Sequence, residues 1–198
     1  MTVTTRLKRF LPSDLTPAQR AVYDSIVSGP RSRGVQAFDV AAPDGSLHGP
    51  FNALLLNPAI GDAMQCFGAA IRYESTLDAR VREAAILIVA NVLDSDFERY
   101  AHEAVARQVG LTEEQIFGLR SPGLDTLPFA GNSFERGCLK FVLLLIHDAP
   151  IGDDLYRRLE STLGSTTMFE LSAIVGYYRL LAQQLELFAV RPPTDALP

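Results

Sequence analysis

The strongest constraint in this 198-residue sequence is the apolar run AAILIVA at residues 84–90. Asp78 fits the N-cap of a helix over residues 79–92, because its carboxylate can accept hydrogen bonds from the first free backbone N–H groups. A helix that is apolar on every side must be enclosed by other elements. The sequence therefore predicts an all-α fold built around one central buried helix.

Helix start and stop signals recur along the rest of the chain. Thr16 and Pro17 are typical of an N-cap and a first helical residue, and Gly29-Pro30 is a typical helix end. Further helices are predicted over residues 49–56, 58–74, 97–109, 113–119, 132–146, 153–163 and 166–188. No shift in composition marks a boundary, so we predict that residues 1–198 form a single domain.

Two segments are predicted to lie outside the helices. Pro43-Asp44-Gly45 is a turn signal within the irregular segment 31–49. This segment has two interpretations, a short hairpin over residues 35–47 or an ordered loop. Residues 190–198 contain a Pro-Pro pair and are predicted to form a terminal tail.

Composition and charge exclude several functional classes. Hydrophobic residues make up 47% and charged residues 21% of the chain, as in soluble globular proteins and unlike disordered or collagen-like chains. The net charge is -5, and the basic group at residues 6–9 is too short to neutralise a nucleic acid backbone. The apolar runs fall short of the ~20 residues that span a bilayer, and the first residues do not resemble a signal peptide. We therefore expect a cytoplasmic protein that binds neither nucleic acid nor membrane.

The two cysteines, Cys66 and Cys138, form neither a CxxC motif nor a zinc-type spacing. A disulfide-stabilised secreted scaffold would carry more cysteines in a smaller chain. Free cysteines are among the most frequently buried residues in proteins. We therefore interpret both as buried, reduced thiols.

Polar residues beside the central helix carry the chemical information, because burying them unpaired is unfavourable. Glu83 directly precedes the apolar run, and His102 lies 19 residues after Glu83, on the next predicted helix. If these helices are antiparallel neighbours that turn near residues 94–95, the axial offset is about 6 Å at ~1.5 Å per residue. The two side chains, with a water if needed, can close that gap. Glu98 lies one turn before His102 on the same helix face, so three titratable groups converge, as in general acid–base catalysis.

Two other interpretations of this cluster are open. A glutamate and a histidine at a helix crossing also occur as a structural polar contact. Glu83, Glu98 and His102 also suit iron or manganese, although the Glu-x-x-His spacing of dimetal helical bundles does not occur here. We therefore predict neither a metal nor another cofactor.

Several motifs, taken in order, resemble a known family. They are GPFNALL at 49–55, NP at 57–58, LDARVRE at 77–83, FERYAHE at 97–103 and GLT at 110–112, flanked by LTPAQ at 15–19 and GYY at 176–178. With this order and spacing, most of the chain resembles the carboxymuconolactone decarboxylase and alkylhydroperoxidase D (AhpD-like) superfamily. The resemblance implies an AhpD-like helical bundle and a homo-oligomer, commonly a trimer or a hexamer.

The peroxidase branch of that family has a glutamate, a CxxC pair and then a histidine four residues after the second cysteine. Glu83 and His102 hold the matching places here, but Ser95 and Glu98 stand where the cysteines would be. Neither side chain can supply the attacking thiolate or the resolving thiol that peroxide reduction needs. The resemblance therefore implies the decarboxylase-like branch without the cysteine pair, in which proton transfer around the histidine is expected.

We predict three catalytic residues on this basis. His102 is the general acid or base, Glu83 orients it, and Glu98 shares its proton or selects the substrate. The expected activity is that of a cofactor-independent lyase or isomerase acting on a small oxo-acid or lactone. The expected binding partner is therefore a small acidic or lactone substrate. The alternatives are an AhpD-like peroxidase and a non-catalytic oligomeric binding protein.

The predicted substrate-binding residues are Tyr100, Arg72, Asn52 and Ser95. Tyr100 is interpreted as a hydrogen-bond donor or, alternatively, as a core aromatic residue. The nearest cations in sequence for an acidic substrate are Arg72, Arg80, Arg82 and Arg99, of which Arg72 is chosen. Asn52 lines the cavity or caps the short helix beginning there. Arg99 has two interpretations, a pocket or interface residue and a solvated helix residue.

Overall fold

The computed structural model describes residues 5–29 and 39–192, and the regular elements in these ranges are helices. They are α1 (Pro17–Ser28), α2 (Phe51–Leu54), α3 (Pro58–Tyr73), α4 (Ala79–Val92), α5 (Asp96–Gln108), α6 (Glu113–Gly118), α7 (Phe134–Ile146), α8 (Asp153–Leu163) and α9 (Ser165–Leu187), with a short 3-10 helix at Pro12–Asp14. The predicted all-α class is confirmed. None of the described helices is both long and apolar enough to cross a membrane.

The helix starts follow the capping residues that the sequence supplies. Thr16 accepts a hydrogen bond from the Gln19 backbone N–H, and the Gln19 side chain accepts one from the Thr16 N–H, which forms a capping box. Asp78 accepts from the Arg80 N–H at the start of α4, and Asn57 caps α3. The predicted helix starts agree with the structure to within a few residues because capping depends on local sequence.

The segment between α1 and α2 forms a tight turn where it is described. The Ala42 N–H donates to the Ser46 carbonyl and the His48 N–H donates to the Val40 carbonyl. Gly45 occupies the left-handed region that favours glycine, with φ of 82°. A single antiparallel bridge joins residues 41 and 47, so the predicted turn is present without hairpin strands in the described part. The remainder of the predicted hairpin, and residues 193–198 of the predicted tail, lie outside the described residues.

The chain divides into two compact units, the first of which is Met1–Glu74 with Gln183–Pro198. Its core is a cluster of buried apolar side chains, namely Val22, Tyr23, Ile26, Leu47, Phe51, Leu54 and Leu55. A backbone hydrogen bond joins its two segments, because the Arg6 N–H donates to the Phe188 carbonyl. The first unit therefore has an apolar centre of its own.

The second unit, Ser75–Ala182, contains the central helix. Every residue of α4 from Glu83 to Ala90 is buried, and α4 packs against α5 and α7. This arrangement confirms the predicted central buried helix. It also places the one charged residue of that stretch, Glu83, where it needs polar partners.

The prediction that both cysteines are buried is wrong for Cys66. Cys138 is buried on α7, but Cys66 is exposed on α3. The buried face of α3 carries Gly61, Gln65, Gly68 and Ile71, spaced three or four residues apart. Cys66 falls outside that spacing, so its side chain lies on the exposed side of the helix.

Candidate active site

The short connection between α4 and α5 brings Glu83 and His102 together. Asp94 takes a left-handed conformation with φ of 52°, and the Ser95 N–H donates to the Ala90 carbonyl at the end of α4. The chain then enters α5, which packs against α4. The His102 Nδ1 atom lies 2.7 Å from the Glu83 Oε2 atom. The two side chains therefore meet directly, without a bridging water.

Glu98 approaches the other side of the same imidazole ring. Its Oε2 atom lies 3.4 Å from the His102 Nε2 atom, one helical turn along α5. Glu83, Glu98 and His102 are only 1%, 3% and 4% exposed. The structure thus brings the three predicted catalytic side chains into one buried cluster, with a carboxylate at each ring nitrogen.

This setting controls the charge of the imidazole. Burial lowers the pKa of His102, but the charge and hydrogen bond of Glu83, reinforced by Glu98, raise it by more. The net effect is a His102 pKa above its ordinary value. The ring is therefore stabilised in its protonated form, with one N–H for each carboxylate.

Two residues absent from the predicted site contact the cluster. The Arg82 Nε atom lies 3.5 Å from the Glu83 Oε1 atom, the oxygen that His102 does not use. The Tyr178 ring, on α9, meets the His102 ring edge-to-face at a centroid distance of 5.1 Å. Arg82 belongs to the motif LDARVRE and Tyr178 to the motif GYY. No spacing rule indicated that these side chains would contact Glu83 or His102.

The other predicted residues of α5 occupy different environments. Ser95 is the buried N-cap of α5, but its side chain makes no capping hydrogen bond. Tyr100 is two residues from His102, hence on another side of the helix, and its ring lies edge-on to Phe97 at 6.2 Å. This contact agrees with the core-aromatic interpretation of Tyr100.

Asn52 and Arg72 belong to the first unit, where both make contacts. The Asn52 side chain accepts from the Phe10 N–H at 3.0 Å and donates to the Lys8 carbonyl at 3.1 Å. The alternative that Asn52 caps α2 is wrong, because its amide binds this N-terminal segment and α2 has no side-chain cap. The Arg72 guanidinium lies over the Tyr73 ring at 5.6 Å.

Arg99 forms ion pairs at the start of α5. Its guanidinium lies 2.8 Å from Asp94 and also pairs with Asp96. These contacts hold its charge beside the helix N-terminus and support the interpretation as a partly solvated helix residue.

The comparisons with known proteins concern the family and the fold. Residues 58–123 match the model of the carboxymuconolactone decarboxylase family, and this range includes the whole cluster. The fold is similar to a crystal structure of the alkylhydroperoxidase AhpD core, an uncharacterized peroxidase-related protein from Ralstonia eutropha JMP134. The two share 14% sequence identity with a TM-score of 0.72, over 99% of this chain and 96% of that chain. The predicted resemblance to the AhpD-like superfamily is confirmed.

The structural likeness, at this identity, establishes the AhpD-like fold alone. The sequence matches none of the curated proteins with which it was compared. The chemistry therefore has to be argued from the side chains of the cluster.

The metal interpretation does not fit the geometry of this cluster. The two carboxylates face different nitrogens of one imidazole ring, so they cannot join a single ring nitrogen around one ion. Within the described ranges, no group of three or more His, Cys, Asp or Glu side chains is arranged to hold a metal ion.

The thiols are also unlike those of a CxxC peroxidase site. Positions 95 and 98 hold serine and glutamate. Burial raises the pKa of the Cys138 thiol to about 12, so this thiol remains protonated near neutral pH. Cys66 is exposed on α3, in the first unit.

Proposed function

We propose that this protein is a decarboxylase-like lyase or isomerase that acts by proton transfer at His102, without a cofactor. The observation that carries the proposal is the position of the buried imidazole between Glu83 and Glu98. The matched family takes its name from the decarboxylation of a carboxylated lactone, which favours a small oxo-acid or lactone as substrate.

The proposed reaction needs one proton donor. When the bond to the departing carboxylate carbon breaks, CO2 leaves and the electron pair remains on the substrate as an enolate. His102, in its protonated form, supplies the proton that converts this enolate to the product. Glu83 fixes the ring orientation and stabilises the imidazolium until the proton has been transferred. A proton from the solvent then restores the imidazolium, so that one proton is consumed for each CO2 released.

Glu98 is the group through which this proton would pass. The Nδ1 side of the ring is occupied by the short hydrogen bond to Glu83, which leaves Nε2 for exchange. Glu98 is the carboxylate at Nε2, so it relays the proton between the ring and the substrate. An isomerase would use the same two groups to remove a proton at one carbon and return it at another.

The test is turnover of a panel of β-oxo acids and carboxylated γ-lactones, followed by CO2 release and by deuterium incorporation from D2O. His102→Gln is expected to lower kcat by about 100- to 10,000-fold, the range of general acid–base catalysis. Glu83→Gln and Glu98→Gln should lower it in the same direction. Glu103→Gln is the matched control, because Glu103 lies on the same helix but pairs with Arg107 and Arg120.

Three results would contradict the proposal. Turnover that survives both His102→Gln and Glu83→Gln would place the reaction elsewhere. Peroxide consumption that depends on Cys66 or Cys138 would favour the peroxidase alternative. A folded protein that neither turns over nor exchanges deuterium with any compound of the panel would favour the non-catalytic binding protein.

A further inference from the structure

Arg82 is the one arginine of α4 and α5 whose guanidinium makes no hydrogen bond to a described residue. Its side chain is 15% exposed, and its ion pair is the 3.5 Å approach to Glu83. The Nε atom is buried and has no hydrogen-bond partner. Of the five N–H donors of the guanidinium, the one on Nε is therefore buried without an acceptor.

The other arginines of these two helices are hydrogen-bonded. Arg80 donates to Glu135 and Gln115, Arg99 donates to Asp94, and Arg107 donates to Glu113. Among the arginines of α4 and α5, the shortage of acceptors is therefore particular to the one next to Glu83.

Glu83 does not satisfy Arg82. One of its oxygens lies 2.7 Å from His102, and the other lies near Arg82 without the geometry of a hydrogen bond. Its negative charge is shared between two cations, the imidazolium and the guanidinium. A buried donor without an acceptor is unfavourable and is rare in native proteins, so an acceptor brought by a bound molecule would remove this cost.

We infer that Arg82 binds a carboxylate of the substrate beside the Glu83–His102 pair. A planar guanidinium matches the two oxygens of a carboxylate and binds them with parallel hydrogen bonds. The inference rests on the proposed function for its choice of ligand, and it adds the residue that selects an acidic compound over a neutral one. Arg82 takes the place as substrate cation that the sequence analysis assigned to Arg72.

The test is calorimetric binding of two probes, a γ-butyrolactone that carries one carboxylate and the methyl ester of the same compound. The wild-type protein should bind the carboxylate about 10- to 100-fold more tightly, the range of hydrogen bonds to a charged group. Arg82→Met should lose this preference while keeping its affinity for the ester. Arg82→Lys should retain part of it, because the charge remains but the planar fork is lost.

Arg99→Met is the matched control, since Arg99 lies on the facing helix and pairs with Asp94 and Asp96. It should keep the wild-type preference. Circular dichroism of each variant confirms that the helices are present.

Three results would overturn the inference. They are equal binding of both probes by the wild-type protein, no detectable binding of the carboxylate, and an equal loss of both probes in Arg82→Met. The first two results need only the wild-type protein, so the inference can be tested even if Arg82→Met does not fold. This experiment measures binding and not turnover, so its failure is distinct from failure of the proposed function. A carboxylate preference without turnover would contradict the proposed function but not the role of Arg82.

Discussion

His102 holds its proton because its neighbours outweigh its burial. Desolvation alone would favour the neutral ring, but Glu83 at 2.7 Å and Glu98 at 3.4 Å favour the imidazolium. A buried cation between two buried carboxylates is stable only while all partners are present, since removing one leaves an uncompensated charge. The same arrangement that would serve proton transfer therefore also contributes to stability.

The pH dependence of stability should report on His102. Its folded-state pKa is raised, so the native state binds the proton more tightly than the unfolded state. Its stabilising contribution is complete below about pH 6.5, the ordinary histidine pKa, and is lost as pH rises through the folded-state pKa. Urea unfolding over this range should show that the wild-type protein loses stability, relative to His102→Gln, with increasing pH. A constant difference between the two proteins at every pH would contradict this expectation.

The three-residue connection between α4 and α5 does more than reverse the chain. It ends at residue 95, the N-cap of α5, and residue 98 follows in the first turn of that helix, one turn before His102. The identity of these two side chains therefore separates the carboxylate relay proposed here from the thiol pair expected in the peroxidase branch.

The double variant Ser95→Cys with Glu98→Cys should therefore acquire a peroxide-reactive dithiol. A helix N-terminus and a nearby imidazolium both lower the pKa of a thiol, which increases its thiolate fraction. After treatment with hydrogen peroxide, thiol titration should show loss of both introduced thiols through a disulfide. Ser95→Cys alone is the control, because it lacks a resolving partner. Peroxide consumption no faster than in the wild-type protein would refute the expectation.

Close packing of α2 against α3 depends on Gly61. A Cβ atom at this position would overlap the Leu54 carbonyl oxygen, which is backbone and cannot move aside easily. Gly176, within α9, has no atom within 4 Å of the place where its Cβ would be. One glycine is thus required by packing, whereas the other is not.

Gly61→Ala should destabilise the protein by about 1–3 kcal/mol, as overpacking does, although alanine is the better helix former. Gly176→Ala should stabilise it by up to about 1 kcal/mol, because the helix propensity is gained without a clash. The midpoints of denaturant unfolding measure both changes. Equal effects of the two substitutions would show that Gly61 is not constrained by its contact with Leu54.

At the scale of the whole molecule, the chain contains two compact units, and the boundary after Ala182 falls inside α9. Each unit has buried apolar residues of its own. The prediction that residues 1–198 form a single domain stays a prediction.

The homo-oligomer implied by the family resemblance also stays a prediction. Several large apolar side chains are exposed in the single chain, among them Phe117 and Phe169, and association commonly covers such surface. Light scattering during size-exclusion chromatography should give three or six times the chain mass of 21.6 kDa. A mass equal to one chain at micromolar concentration would contradict it.

Sequence alone was sufficient for features that depend on local geometry. Asp78 and Thr16 mark helix starts because capping involves residues two or three apart. The convergence of Glu83 with His102 followed from the rise of a helix and one short connection. Glu98 joined them because residues four apart share a helix face.

Only the tertiary structure decided the partners that depend on packing between distant segments. Tyr178 lies against His102 because of where α9 packs, and Asn52 binds the backbone near Phe10 rather than capping α2. Arg82 differs from its neighbouring arginines in its deeper burial and in which acceptors reach it. Local periodicity assigns a residue to a helix face, but the position of another helix determines which atoms meet that face. For this protein, sequence determined the helices and the acid–base cluster, whereas packing determined the surroundings in which that cluster would act.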